Sequence, residues 1–165
     1  MKRLLDIIIN SLLIPDPYIQ AQFGGAANAQ QGIRVKYAEA PVFPEGVTKV
    51  RNVIVLSTDA DMPHQNLPNL EVARFFIDFY SDRGFQWIED LYYNIDPATI
   101  TTYGFPRGVR ALLADQRYSL ASDLFVLKFL QLNGPRYNVN DDTKTFFATT
   151  QWEAHVITTA ALQFS

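Results

Sequence analysis

The side chains able to do acid–base or metal chemistry are scattered. The two histidines, His64 and His155, stand far apart, and neither belongs to an HExxH or HxxxH pattern. Asp59, Asp61 and His64 offer three ligands for a hard cation. They lie in a Pro-containing loop, where Asp and Asn side chains ordinarily bond their own backbone, so a solvated turn is the simpler account. Ser57-Thr58-Asp59 is not set in a GxSxG elbow, and nothing places a base beside it. Glu89 and Asp90 are adjacent; on a helix such neighbours point about 100° apart and make no catalytic pair. Asp141 and Asp142 read as a solvated turn. Lys128 is the single charge in DLFVLKFLQL, and a buried stem with its ammonium in solvent explains it without a Schiff base. His155 falls on the polar side of an alternating stretch, as an exposed or hydrogen-bonded group rather than a general base. Gly24-Gly25 has no strand before it and no Lys-Ser/Thr after it, unlike a phosphate loop. Cysteine is absent, which removes disulfides, thiolate metal sites and thiol nucleophiles. These residues predict no catalytic centre, no metal and no cofactor.

Composition narrows the partners. The 165 residues suit a single domain, 1–165, able to bury about two thirds of its unfolded surface. Aromatic residues make up 13% of the chain, enough to dominate its core. The net charge of −3 gives no electrostatic case for specific nucleic-acid binding or an anionic membrane. No apolar run approaches the ~18–20 residues that cross a bilayer.

The elements that must position everything else centre on Val72–Asp96. As a strand, Ala73, Phe75, Ile77 and Phe79 share one face, with Arg74, Asp78 and Tyr80 on the other. As a helix, Glu71, Arg74, Asp78 and Asp82 form a polar stripe, and Gly84 is a C-cap. The β-branched and aromatic content favours the strand. After Gly84 the period changes: Ile88, Leu91, Tyr92 and Ile95 line one side of a helix over about 85–95, which Pro97 ends. Before this unit, Met1–Ile14 reads as an amphipathic helix carrying Leu4, Leu5, Ile8, Ile9 and Leu12. Gln20–Gly32 is small, uncharged and without an apolar period, and reads as a flexible loop or arm reaching a neighbouring subunit, with Phe23 as its anchor. Ile33–Ala38 and Val47–Thr58 read as strands. Residues 97–122 read as an insertion with a short helix at Val109–Gln116. Asp123–Leu132 is a strand or a buried helical segment, ended by Asn133-Gly134-Pro135. Asn138–Asp142 is a turn. From Phe146 onward the pattern alternates, placing Phe146, Ala148, Thr150, Trp152, Ala154 and Val156 on one face.

The fold class that follows is α+β: a mostly antiparallel sheet flanked by the N-terminal helix and the helix at 85–95. Phe76, Tyr80, Tyr93, Tyr103, Phe105 and Phe147 do not all fit one small core. Aromatic side chains left outside a core are enriched at protein interfaces. Phe23, Phe76, Tyr80, Tyr103, Phe105 and Phe147 are therefore the interface candidates.

Arg74-Phe75-Phe76-Ile77-Asp78-Phe79-Tyr80, the helix GFQWIEDLYYNID, and the run from Gly134-Pro135 through Asp142 to Trp152 together carry a resemblance. In this order they resemble the tail terminator (tail-completion, or minor capsid) proteins of the bacteriophage head–tail junction. The resemblance covers about two thirds of the chain as pattern rather than identity, and leaves out 15–32 and 97–122. It implies a subunit of a ring, usually hexameric, that caps the tail tube and receives the head connector or stopper protein. It also implies assembly in the host cytoplasm, residence in the tail or neck of a virion, and no catalytic residues. The alternatives are another virion component, such as a capsid cement or baseplate protein, and a small ligand-binding or enzyme domain.

Overall fold

Twelve consecutive residues, Leu70–Ser81, pair with a neighbouring strand without a slip, which decides the central ambiguity for strand. The computed structural model describes residues 2–35, 52–59, 65–67, 70–93, 107–121, 123–142 and 144–158. In chain order the elements are α1 (Lys2–Ile8, continuing as a π-type turn over Ile9–Leu13), α2 (Pro17–Phe23), α3 (Ala26–Gly32), β1 (Ile33–Val35), β2 (Val53–Thr58), β3 (Gln65–Leu67) and β4 (Leu70–Ser81). They continue as α4 (Phe85–Tyr93), α5 (Val109–Leu113), β5 (Tyr118–Ala121), β6 (Leu124–Asn140) and β7 (Thr145–Thr158). The sheet order is β1-β2-β4-β7-β6-β5, with β3 also paired to β4. Only β1 and β2 run parallel; the other pairs are antiparallel. The fold is thus α+β with a mostly antiparallel sheet, as the alternation and period changes predict.

One sheet face carries the core. Phe75, Ile77 and Phe79 of β4, Ala148, Trp152, Ala154 and Val156 of β7, and Ile54 and Leu56 of β2 are buried there. The helices cover this face with Leu4, Leu5, Ile8 and Leu13, and with Trp87, Ile88, Leu91 and Tyr92 of α4. Two polar side chains on this face are satisfied: Trp152 Nε1 donates to Thr150 Oγ1 at 2.8 Å, and Thr150 Oγ1 donates to the Ile77 carbonyl at 3.1 Å. Gly84, with φ of 94°, makes the left-handed turn from β4 into α4 that a side chain would resist.

Two sequence expectations are corrected. Gln20–Gly32 is helical rather than a loop or arm. Asp16 caps α2 by accepting from the Tyr18 and Ile19 amides, Pro17 occupies the first turn, and left-handed Gly24 ends the helix. Phe23 has a seat in its own chain: its ring meets Trp87 edge-on at 5.4 Å and lies against Gly32, whose added Cβ would fall 2.5 Å from it. Trp87 Nε1 donates to the Gln22 carbonyl at 3.0 Å. The segment is ordered by α4 and by the Asp16–Arg107 ion pair at 2.6 Å, which a local reading of small polar residues does not reveal. We expect Phe23→Ala to lower stability by about 1–3 kcal/mol in a denaturant melt; an arm anchor would leave the melt unchanged.

The second correction concerns β6. The chain does not stop pairing at Asn133-Gly134-Pro135 but continues to Asn140, so the turn begins at Asp141. Register slips between Gln131 and Asn133 and between Asn133 and Arg136 absorb the extra residues. Proline is tolerated there because β6 is, among the described residues, the outermost strand at this height and needs no donor on its far side.

Candidate assembly interface

The other face of the sheet is mixed: Val53, Val55 and Glu153 are buried on it, and its other side chains are half-buried. From β2 it carries Val53, Val55 and Ser57; from β4, Val72, Arg74, Phe76, Asp78 and Tyr80. From β7 it carries Phe147, Thr149, Gln151, Glu153 and His155. This is the parity opposite to the buried Phe75, Ile77, Phe79 and Trp152.

Three of the sequence candidates meet here. Tyr80 and Phe147 are directly paired across β4 and β7, their rings stacked at 6.0 Å with planes 26° apart. Phe76 lies two pleats along, paired with Gln151. All three are half-buried. Burial, and then the nearby Asp78 carboxylate, raise the Tyr80 phenol above its ordinary value, so it is a neutral donor at physiological pH. Phe23 lies elsewhere, within the helices. Tyr103 and Phe105 fall outside the described residues.

Beside the aromatic patch runs a polar network that the sequence reading did not assemble. Arg74 Nε donates to Glu153 Oε2 at 2.7 Å, and Glu153 Oε1 lies 2.6 Å from His155 Nε2. A second chain runs from Asn133 Nδ2 to Gln151 Oε1 at 2.5 Å, and from Gln151 Nε2 to Asp59 Oδ2 at 2.8 Å. The shared parity of Gln151, Glu153 and His155 was visible in the alternation. Their partners on β4, on β6 and after β2 were not, because only the strand register brings them opposite.

These partners account for the residues that first suggested chemistry. Asp59 serves Gln151, His155 serves Glu153, and Lys128 reaches Asp115 at 3.2 Å with both groups largely in solvent. Asp90 Oδ1 accepts from Gln86 of its own helix. Among the described residues no group of three His, Cys, Asp or Glu side chains is placed to hold a metal ion. Asp61 and His64 lie outside them.

Burial alone would raise the Glu153 carboxyl, but hydrogen bonds from His155 and Arg74 and their charges outweigh it, leaving the group below its usual 4.5. A carboxyl depressed by folding contributes stability that is present above its unfolded value and lost as pH falls through the folded one. Stability should therefore decline as pH drops below about 4.5. Glu153→Gln should flatten that decline in melts taken between neutral and acid pH. An unchanged slope would mean that the network contributes nothing to the acid limb.

The fold has a counterpart among solved structures. A chain in the virion of a native gene transfer agent (GTA) particle matches 90% of this chain and 91% of its own length, with a TM-score of 0.53 at 13% identity. At that identity the likeness is one of fold. No family model matches the sequence, and no curated protein does.

Proposed function

We propose that this chain is a structural subunit of a virion, of the tail-terminator kind. In this reading it closes into a ring, usually of six copies, at the end of the tail tube and meets the head connector or stopper protein there. The observation that carries the proposal is the end-to-end fold likeness to a chain of the GTA virion. The resemblance of Arg74–Tyr80 and of Gly134–Trp152 to tail terminators supports the same reading. The mixed face supports it as well: stacked aromatic side chains supply rigid contact area, and the adjacent ion-pair network supplies orientation, the division of labour found in interface cores and rims. A ring needs a heterologous contact, in which two different patches of one subunit meet on successive copies.

Imaging of the purified protein mixed with tail tubes tests this. Rings seated on tube ends, with tube length capped, are the expected result. Rings bound instead to capsid faces or baseplates would assign the subunit another virion role.

A further inference from the structure

The sheet ends unevenly. β5 covers β6 only between Leu124 and Val126, and a bridge from Ala114 reaches Phe129. Beyond that point, among the described residues, β6 has β7 on one side and no strand on the other. The first part of this edge is broken by the two register slips and Pro135, features that discourage edge pairing. Arg136–Asn140 is different. It keeps step with Thr149–Thr145, all five residues are exposed, and Arg136 is its single charge. The Val139 amide donates to Asn138 Oδ1 at 2.8 Å, so it faces away from β7. Alternation along an antiparallel strand turns the Tyr137 amide the same way. Val139 is 36% exposed and Tyr137 40%, the Tyr137 ring meeting Phe85 edge-on at 5.2 Å on one side.

The opposite edge of the same sheet is β1, which has β2 on one side and, among the described residues, no strand on the other. Strand directions follow from the pairings. β1, β2 and β7 run one way; β4 and β6 run the other. A second copy set beside the first by rotation about an axis along the strands keeps those directions. It therefore brings its β1 antiparallel to the first copy's β6. A two-fold axis would instead bring β6 against β6 and close at two copies.

We infer that the Arg136–Asn140 edge of one copy receives Ile33–Val35 of the next copy as an added antiparallel strand, so that the sheet continues across the subunit boundary. The inference rests on the ring reading and names the contact that closes it. The ladder is short, so its role is to set register, while the aromatic face supplies contact area.

The chain has no cysteine, which makes the test clean. Arg34 and Asn138 lie on the same sheet face, opposite Val55 and Phe147. Oxidising the assembled Arg34→Cys, Asn138→Cys double variant should give a ladder of covalent multimers up to the ring size on a denaturing gel. Each single variant should stay monomeric there. Val139→Lys should weaken assembly at least tenfold while leaving the unfolding midpoint in place. Suppose instead that native mass shows a ring, but the double variant stays monomeric on oxidation, or Asn138→Cys alone gives covalent dimers. The edge contact is then wrong and the ring reading survives. A wild-type chain that is monomeric at every concentration overturns both.

Discussion

Trp152→Ala should lower stability by about 3–5 kcal/mol, the usual cost of truncating a fully buried aromatic side chain. Trp152 is 0% exposed and is paired across the sheet with Phe75, which is equally buried. Phe75 in turn meets Phe129 edge-on at 6.3 Å, so the cavity would open where β4, β7 and β6 share one layer. Collapse into that space is resisted because the surrounding side chains sit on three paired strands that cannot approach each other further. Truncation also takes away the indole donor to Thr150, although Thr150 keeps its bond to the Ile77 carbonyl. A denaturant melt measures the effect, and a loss under about 1 kcal/mol would contradict a core position.

Phe147→Ala and Tyr80→Ala should each do the reverse, weakening assembly more than folding. A cross-strand aromatic stack contributes about 0.5–1.5 kcal/mol within the chain. An interface hot spot contributes about 2 kcal/mol or more, which is roughly a 30-fold change in dissociation constant. Sedimentation across a concentration series, set beside a melt of the same variants, separates the two. Stability lost with assembly intact would make the Tyr80–Phe147 stack an internal feature only.

What the sequence made legible was whatever depends on period. The alternation of Phe75, Ile77 and Phe79 against Arg74, Asp78 and Tyr80 placed both faces of β4 correctly, and the change of period at Gly84 placed α4. The parity of Trp152 with Ala148 and Val156 did the same for β7. What failed depends on contacts distant in the chain. Helices α2 and α3 are held by Asp16 with Arg107 and by Phe23 with Trp87, partners 91 residues apart in the first case. A run of Gly, Ala and Gln gives no sign of them. Pro135 read as a stop because a central strand cannot accommodate it, whereas an outermost strand with a bulge can. The Arg74–Glu153–His155 network escaped for a related reason: strand parity is local, but the register between β4 and β7 is set by the whole sheet.

A ring subunit must close on copies of itself. Native mass measurement of the purified protein is the most direct test. The expected result is one dominant species at a fixed multiple of the 18.7 kDa chain mass, six in the usual form of such rings, unchanged as concentration rises. A monomer throughout, or a mass series that keeps growing with concentration, would contradict it.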